Sequence, residues 1–194
     1  MKKIGIDIDD TVMNTFDVIE EAARYFDKYF LENKGYQDKS KYDFHERFYW
    51  TSEEKKAFFN YFRKNKLYLK AKPKGDALYY LEKLYNEGYE IYFLTRRKKD
   101  EKLDILSITK NDLISKGFKF TDCYIGLSKK GEACKSLGID VFIDDAVIQI
   151  EDVNNYGIKT ILIDNWYNKE YKGLRAKNFQ EIYNIIRKWN NARW

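Results

Sequence analysis

The sequence predicts an α/β fold: a parallel sheet flanked by helices, with a small helical insertion after the first strand. Three observations lead there. Short apolar runs rich in Ile, Leu, Val and Phe alternate with amphipathic helical patterns through most of the chain, as strands joined by crossover helices do. The first and fourth of these runs end in acids and the second in Thr-Arg-Arg, which puts polar groups at the carboxyl ends of the strands. A long aromatic-rich stretch with helical periodicity and no convincing strand separates the first two runs.

The first strand is expected over residues 3–8 (KIGIDI), an Ile-rich run suited to a buried parallel strand. Helical patterns follow over 16–31 and 52–64, joined by a polar loop that carries Tyr42, Phe44 and His45. Ser52 with Glu53 and Glu54 suits a helix start, because acids favour the first turn. Pro73 and Gly75 punctuate the return to the core. A helix is expected over 76–87, then a second strand over 89–95 (YEIYFLT). Residues 99–116 read as a helix and 122–126 (DCYIG) as a third, weaker strand. A short helix over 130–137 stops at Gly138, where a C-terminal cap belongs. The fourth strand is 141–144 (VFID), and the helix after it, 147–156, stops at Gly157 in the same way. A fifth strand over 160–163 (TILI) and a helix over 179–189 complete the pattern. The division that results is a core of residues 1–15 and 72–194 with an insertion over 16–71.

A chain of 194 residues can bury a sizeable core as one main domain with a small insertion. Its 18% aromatic content argues against disorder. The single His excludes zinc motifs built on two His and any His cluster. A Ser-His-Asp or Cys-His site could use only His45, and no nucleophile motif lies near it. Cys123 and Cys134 form no CxxC pair and no disulfide framework; both read as small buried apolar residues, and a cytoplasmic location is expected. Asp7 interrupts the N-terminal apolar run, so no signal peptide is expected, and no segment approaches the roughly 20 apolar residues that cross a membrane. The net charge of +5 is dispersed along the chain. It favours anionic ligands such as phosphates and gives no reason to expect a stable nucleic-acid partner.

The chemistry must then rest on carboxylates, Lys, Arg and hydroxyls. Asp7 ends the first strand, with Asp9 and Asp10 just beyond; Thr95, Arg96 and Arg97 end the second; Asp144 and Asp145 end the fourth; Lys129 and Lys130 precede a helix. Acids that converge on one sheet edge need a cation to offset their repulsion. An oxygen-only donor set points to a hard ion, Mg²⁺.

These residues carry a resemblance. Asp7-Ile8-Asp9-Asp10-Thr11 is similar to the DxDxT signature of the haloacid dehalogenase-like (HAD) phosphohydrolases, and it follows an apolar strand. Thr95 in FLTRR resembles that family's second motif, Lys130 its third with Lys129 as rival, and Asp144-Asp145 in VFIDDA its fourth. The resemblance implies a Rossmann-like HAD core with a helical C1 cap inserted after the first strand. It implies that Asp7 is a nucleophile that forms an aspartyl-phosphate and Asp9 the general acid and base. Asp7, Asp9 through its backbone carbonyl, and Asp144 or Asp145 would hold Mg²⁺. Thr95 and Lys130 would bind the phosphate.

The cap position, LTRR and IDDA resemble the 5′-nucleotidase and deoxyribonucleotidase branch, in which cap aromatics close over the base. The expected activity is hydrolysis of nucleoside or deoxynucleoside 5′-monophosphates. A sugar phosphate or another small phosphate ester, a 5′-phosphorylated nucleic-acid end, and a catalytically weak nucleotide-binding protein are the alternatives. Arg96 is a candidate for phosphate or ribose, or an exposed loop residue. Phe44, Phe48, Tyr49 and Trp50 are candidates for base stacking, or core of the insertion. Trp166, Tyr167 and Asn168 follow the fifth strand and are candidates to line the site.

Overall fold

The computed structural model describes residues 2–191. In chain order the elements are β1 (Lys3–Ile6), α1 (Thr15–Phe30), α2 (Phe44–Arg47), α3 (Ser52–Lys64), a 3₁₀ turn (Leu67–Lys70), α4 (Ala77–Asn86), β2 (Glu90–Leu94), α5 (Ile105–Ser115), β3 (Asp122–Tyr124), α6 (Gly131–Leu137), β4 (Val141–Asp144), α7 (Val147–Asn154), β5 (Lys159–Ile163), β6 (Arg175–Ala176) and α8 (Phe179–Asn191). They form two compact units, Met1–Met13 with Pro73–Trp194, and Asn14–Lys72.

The first unit is built on a six-stranded sheet of order β3-β2-β1-β4-β5-β6, with every pair parallel. Ile4 lies opposite Ile91 and Val141, and Ile6 opposite Phe93 and Ile143, so β1 is central and this apolar row shares one face. On the other face Tyr92, Leu94, Phe142 and Leu162 pack with Cys134, Ile139, Ile150 and Val153. Burial on both faces is why these strands read as continuous apolar runs. The chain passes from β1 to β2 and β3 on one side, then to β4 and β5 on the other. The switch of direction at β1 leaves a crevice at its carboxyl end, where ligands bind in open parallel sheets.

Several boundaries differ from the sequence reading, each for a local reason. β1 ends at Ile6: the Asp7 N–H still donates to the Ile143 carbonyl at 3.0 Å, but the chain then turns, with Val12 and Met13 both donating to Ile8. α5 starts at Ile105 because the Asp104 carboxylate caps it, accepting the Ser107 N–H at 3.0 Å. The charged residues before it remain a loop. Gly138 caps α6 with φ +67°, and Gly157 takes φ +73° three residues past the end of α7. β6, α2 and the 3₁₀ turn are two to four residues long, too short to show a period.

In the second unit, α1, α2, α3 and the 3₁₀ turn enclose an aromatic core that includes Phe26, Phe44, Phe48, Trp50, Phe58 and Phe62. Buried Asp27 accepts the Trp50 indole N–H at 2.6 Å, satisfying the ring's only polar atom. α3 starts at Ser52, as the acids of its first turn suggest, and Thr51 caps it through a capping box. Thr51 Oγ1 accepts the Glu54 N–H and Glu54 accepts the Thr51 N–H. The side chain of His45 lies outside the described residues. Among the described residues, no helix is long and apolar enough to cross a membrane.

Candidate active site

The sheet delivers Asp7, Thr95 and Asp144 to one edge. Asp7 directly follows β1, Thr95 directly follows β2, and Asp144 is the last residue of β4. Carboxylate oxygens of Asp7, Asp144 and Asp145 lie within 4.8 Å of one another, and all three residues are buried. Lys130 joins them although it lies at the start of α6. Its Nζ donates to Asp7 and, at 2.6 Å, to Asp144. Only 1% of Lys130 is exposed, whereas its neighbour Lys129 is exposed.

Each acid is fixed further. Asp144 accepts the Ala146 N–H at 2.8 Å. Asp145 and Thr11 bond reciprocally: the Thr11 hydroxyl donates to the Asp145 carboxylate at 2.8 Å and accepts its N–H at 3.1 Å. The Tyr167 hydroxyl donates to the other Asp145 oxygen at 2.5 Å, and the Asn168 amide donates to the Asp145 and Ile163 carbonyls. Thr11 thus ties the loop after β1 to the end of β4, which a motif read as a string does not reveal.

Burial dominates the electrostatics. It pushes the Asp7 carboxyl up to about 7 against the opposing pull of Lys130, with Asp144 and Asp9 adding to the rise. Burial likewise lifts Asp144 and Asp145 to about 6 each. Burial disfavours the Lys130 ammonium, but Asp144 and Asp7 outweigh it and hold the group above its ordinary value. With all three carboxyls ionised, the single Lys130 ammonium would leave a buried excess of two negative charges. A divalent, oxygen-seeking cation fits that donor set and that charge.

The remaining candidates are placed as follows. Asp9 is half-buried and its carboxylate is held by Arg97. Thr95 is buried, and its hydroxyl accepts the Arg97 N–H at 3.2 Å. Arg96 is exposed. Phe44 is 5% exposed and stacks on Phe48 and Phe58 inside the helical unit, at centroid distances of 5.6 and 5.8 Å, so its ring is occupied by packing. Cys123 and Cys134 are free and buried, and burial raises both thiols to about 12, leaving them unreactive. Asp152, whose carboxylate accepts the Lys130 and Gly131 N–H groups, carries no sequence signal, while Thr11 shapes the loop after β1 as its position suggests. Arg97 and Thr11 adjoin named motif residues, but side-chain direction past a strand end depends on the turn taken.

The family model described as 5′ nucleotidase, deoxy (Pyrimidine), cytosolic type C protein matches residues 1–192. A nucleotidase from Clostridium acetobutylicum is 27% identical over 187 residues, covering 94% of this chain and 92% of the relative. Among solved structures, a hydrolase of the haloacid dehalogenase-like family from Streptococcus pneumoniae superposes with a TM-score of 0.71 at 15% identity. The match covers 96% of this chain and 98% of that one.

Proposed function

Since the chain belongs to the 5′ nucleotidase, deoxy (Pyrimidine), cytosolic type C family and is a HAD-superfamily phosphohydrolase, we propose that it is a Mg²⁺-dependent phosphomonoesterase acting on nucleoside or deoxynucleoside 5′-monophosphates. The observation that carries this reading is Lys130, buried and bridging Asp7 to Asp144 beside Asp145. A lysine and three acids in that arrangement suit an anionic carboxylate attacking an anionic ester.

The residues divide the work. An Asp7 oxygen attacks phosphorus and the ester P–O bond breaks. Asp9, in its acid form, gives its proton to the departing oxygen. In the second half, Asp9 takes a proton from water as that water attacks phosphorus. The Asp7–phosphorus bond then breaks, restoring the carboxylate and releasing inorganic phosphate. Lys130 offsets the charge of Asp7 and of the phosphoryl oxygens, and the Thr95 hydroxyl donates to one of those oxygens. Asp7, the Asp9 backbone carbonyl and Asp144 or Asp145 would hold Mg²⁺, which supplies charge neutralisation between the two anions.

The helical unit is inserted between Met13 and Pro73, the C1 position in chain order, and we read it as the cap. The two free buried thiols suit a reducing, cytoplasmic setting. A panel of dUMP, AMP and a plain sugar phosphate, with and without Mg²⁺, tests the reading. Metal-dependent turnover with the nucleotides ahead in kcat/KM is expected. Equal kcat/KM across the panel would remove the nucleotide assignment, and no turnover of any monophosphate would remove the phosphatase assignment.

A further inference from the structure

Arg97 pairs with Asp9 through two parallel hydrogen bonds. Its Nε donates to Oδ2 at 3.0 Å and its Nη2 to Oδ1 at 2.9 Å. This forked geometry fixes both the distance and the plane of a carboxylate. The Arg97 side chain is 7% exposed and that of Asp9 32%, so the guanidinium is held in place while the carboxylate keeps one side open. The backbone of Arg97 is anchored as well: its N–H donates to Thr95 Oγ1 at 3.2 Å and its carbonyl accepts the Gly126 N–H at 2.8 Å. Asp9 follows β1 and Arg97 follows β2, so the pair spans the ends of two adjacent strands.

We propose that Arg97 is a positioning residue that sets the orientation of the Asp9 carboxylate and thereby controls proton delivery to the leaving oxygen. The inference rests on the acid–base role given to Asp9 above. Both oxygens of the ionised Asp9 are engaged by the guanidinium; when one oxygen takes up the proton that the leaving group will receive, its contact opens, and the contact to the other oxygen keeps the carboxyl group on its axis. Without Arg97 the carboxylate turns freely about two side-chain bonds, and orientation of that kind is a large part of a proton-transfer advantage. A lysine keeps the charge but has no fork, and so cannot fix the plane.

The test compares first-turnover release of two leaving groups. The alkoxide of dUMP must be protonated as it departs; the nitrophenolate of p-nitrophenyl phosphate need not be. Arg97→Ala is expected to slow release from dUMP by roughly 10- to 100-fold and from p-nitrophenyl phosphate by less than about threefold, with KM little changed. Arg97→Lys should fall between wild type and Arg97→Ala, and it serves as the folded comparison if the alanine variant is unstable. In an Asp9→Asn background, Arg97→Ala should add little further loss. Equal slowing of both leaving groups, a raised KM with release unchanged, or full additive loss in the Asp9→Asn background would overturn the proposal. An Asp9→Asn protein that releases the dUMP nucleoside at the wild-type rate would remove the acid–base reading itself, and this proposal with it.

Discussion

Asp152, on α7, accepts the backbone N–H groups of Lys130 and Gly131 at 3.0 and 2.7 Å, and so anchors the start of the helix from which Lys130 reaches Asp7 and Asp144. The contact acts as an N-terminal cap supplied from another helix. Losing such a cap typically costs about 1 kcal/mol. Asp152→Ala should lower the melting temperature by a few degrees and kcat by roughly tenfold, since a small displacement of a charged group at the reacting centre is costly. Asp152→Asn keeps an acceptor oxygen and should stay closer to wild type in both. Steady-state kinetics beside thermal unfolding would check it; a kcat unchanged in Asp152→Ala would separate Asp152 from Lys130 placement.

Gly131 allows that approach. A Cβ built there would sit 2.3 Å from the Tyr156 ring and 2.8 Å from the Asp152 carbonyl oxygen. Gly131→Ala should therefore destabilise the protein by about 1–3 kcal/mol, the usual cost of overpacking, and lower kcat by displacing the adjoining Lys130. Tyr156 is exposed and can move, but the backbone oxygen cannot. Adding Tyr156→Ala should restore part of the stability and leave kcat low. Complete rescue of both by the double variant would show that only the ring mattered.

The sequence reveals the acids better than the bases, and the reason is geometric. A parallel strand buried on both faces is an apolar run, so the first acid after it marks the sheet edge; Asp7, Asp144 and Asp145 are legible for that reason. Lys129 and Lys130 are neighbours in a loop, and only the helix start pinned by Asp152 decides which points inward. The same holds for the arginines after Thr95. Arg96 is exposed, whereas Arg97 turns in to Asp9, and two adjacent arginines in a loop carry no pattern that tells them apart. The aromatic excess signals a core and says nothing of which rings stay free; Phe44 is packed among Phe48 and Phe58. Long-range ties such as Thr11 to Asp145 leave no local pattern at all.

The buried acids make metal-free stability fall with rising pH. Asp7, Asp144 and Asp145 titrate near 7, 6 and 6 when folded, above the ordinary carboxylate value of 3.8. Groups with raised folded values favour the folded state fully below the unfolded value, and that contribution is lost as pH rises through the folded ones. Between pH 5 and pH 8 the chelator-treated protein should thus lose melting temperature from this source. Mg²⁺ at about 100 times its dissociation constant adds about 2.7 kcal/mol, so roughly 5–10 °C. The gain should be larger at pH 8 than at pH 5.5, because protons compete with the ion for the same oxygens. A metal gain that is equal at the two pH values would separate these carboxylates from the metal.

Asp7→Asn removes the attacking oxygen while keeping the side chain's size. Turnover should fall by at least roughly 10³-fold, as for loss of a nucleophile. Stability in the metal-free state should not fall in step, because a strongly desolvated carboxylate is replaced by a neutral amide and Lys130 keeps Asp144 as its partner. Circular dichroism and melting curves at pH 8 would check the second half. Retention of wild-type kcat would end the nucleophile assignment.

Tyr167 offers a test of the metal site from one bond away. Its hydroxyl donates to one oxygen of Asp145, whose other oxygen is held by Thr11. Burial raises the Asp145 carboxyl, and the bonds from Tyr167 and Thr11 oppose that rise. Tyr167→Phe deletes one opposing bond without changing the ring, so the carboxyl should become harder to ionise and freer to rotate. A carboxylate must be deprotonated to hold a hard cation, and loss of an orienting partner typically weakens a metal site by 10- to 100-fold. Calorimetric titration with Mg²⁺ should show a dissociation constant raised by roughly tenfold at pH 7.5, and by more at pH 6, where protonation competes harder. An unchanged constant at both values would mean that Asp145 does not carry the ion, and would leave Asp7 and Asp144 to hold it.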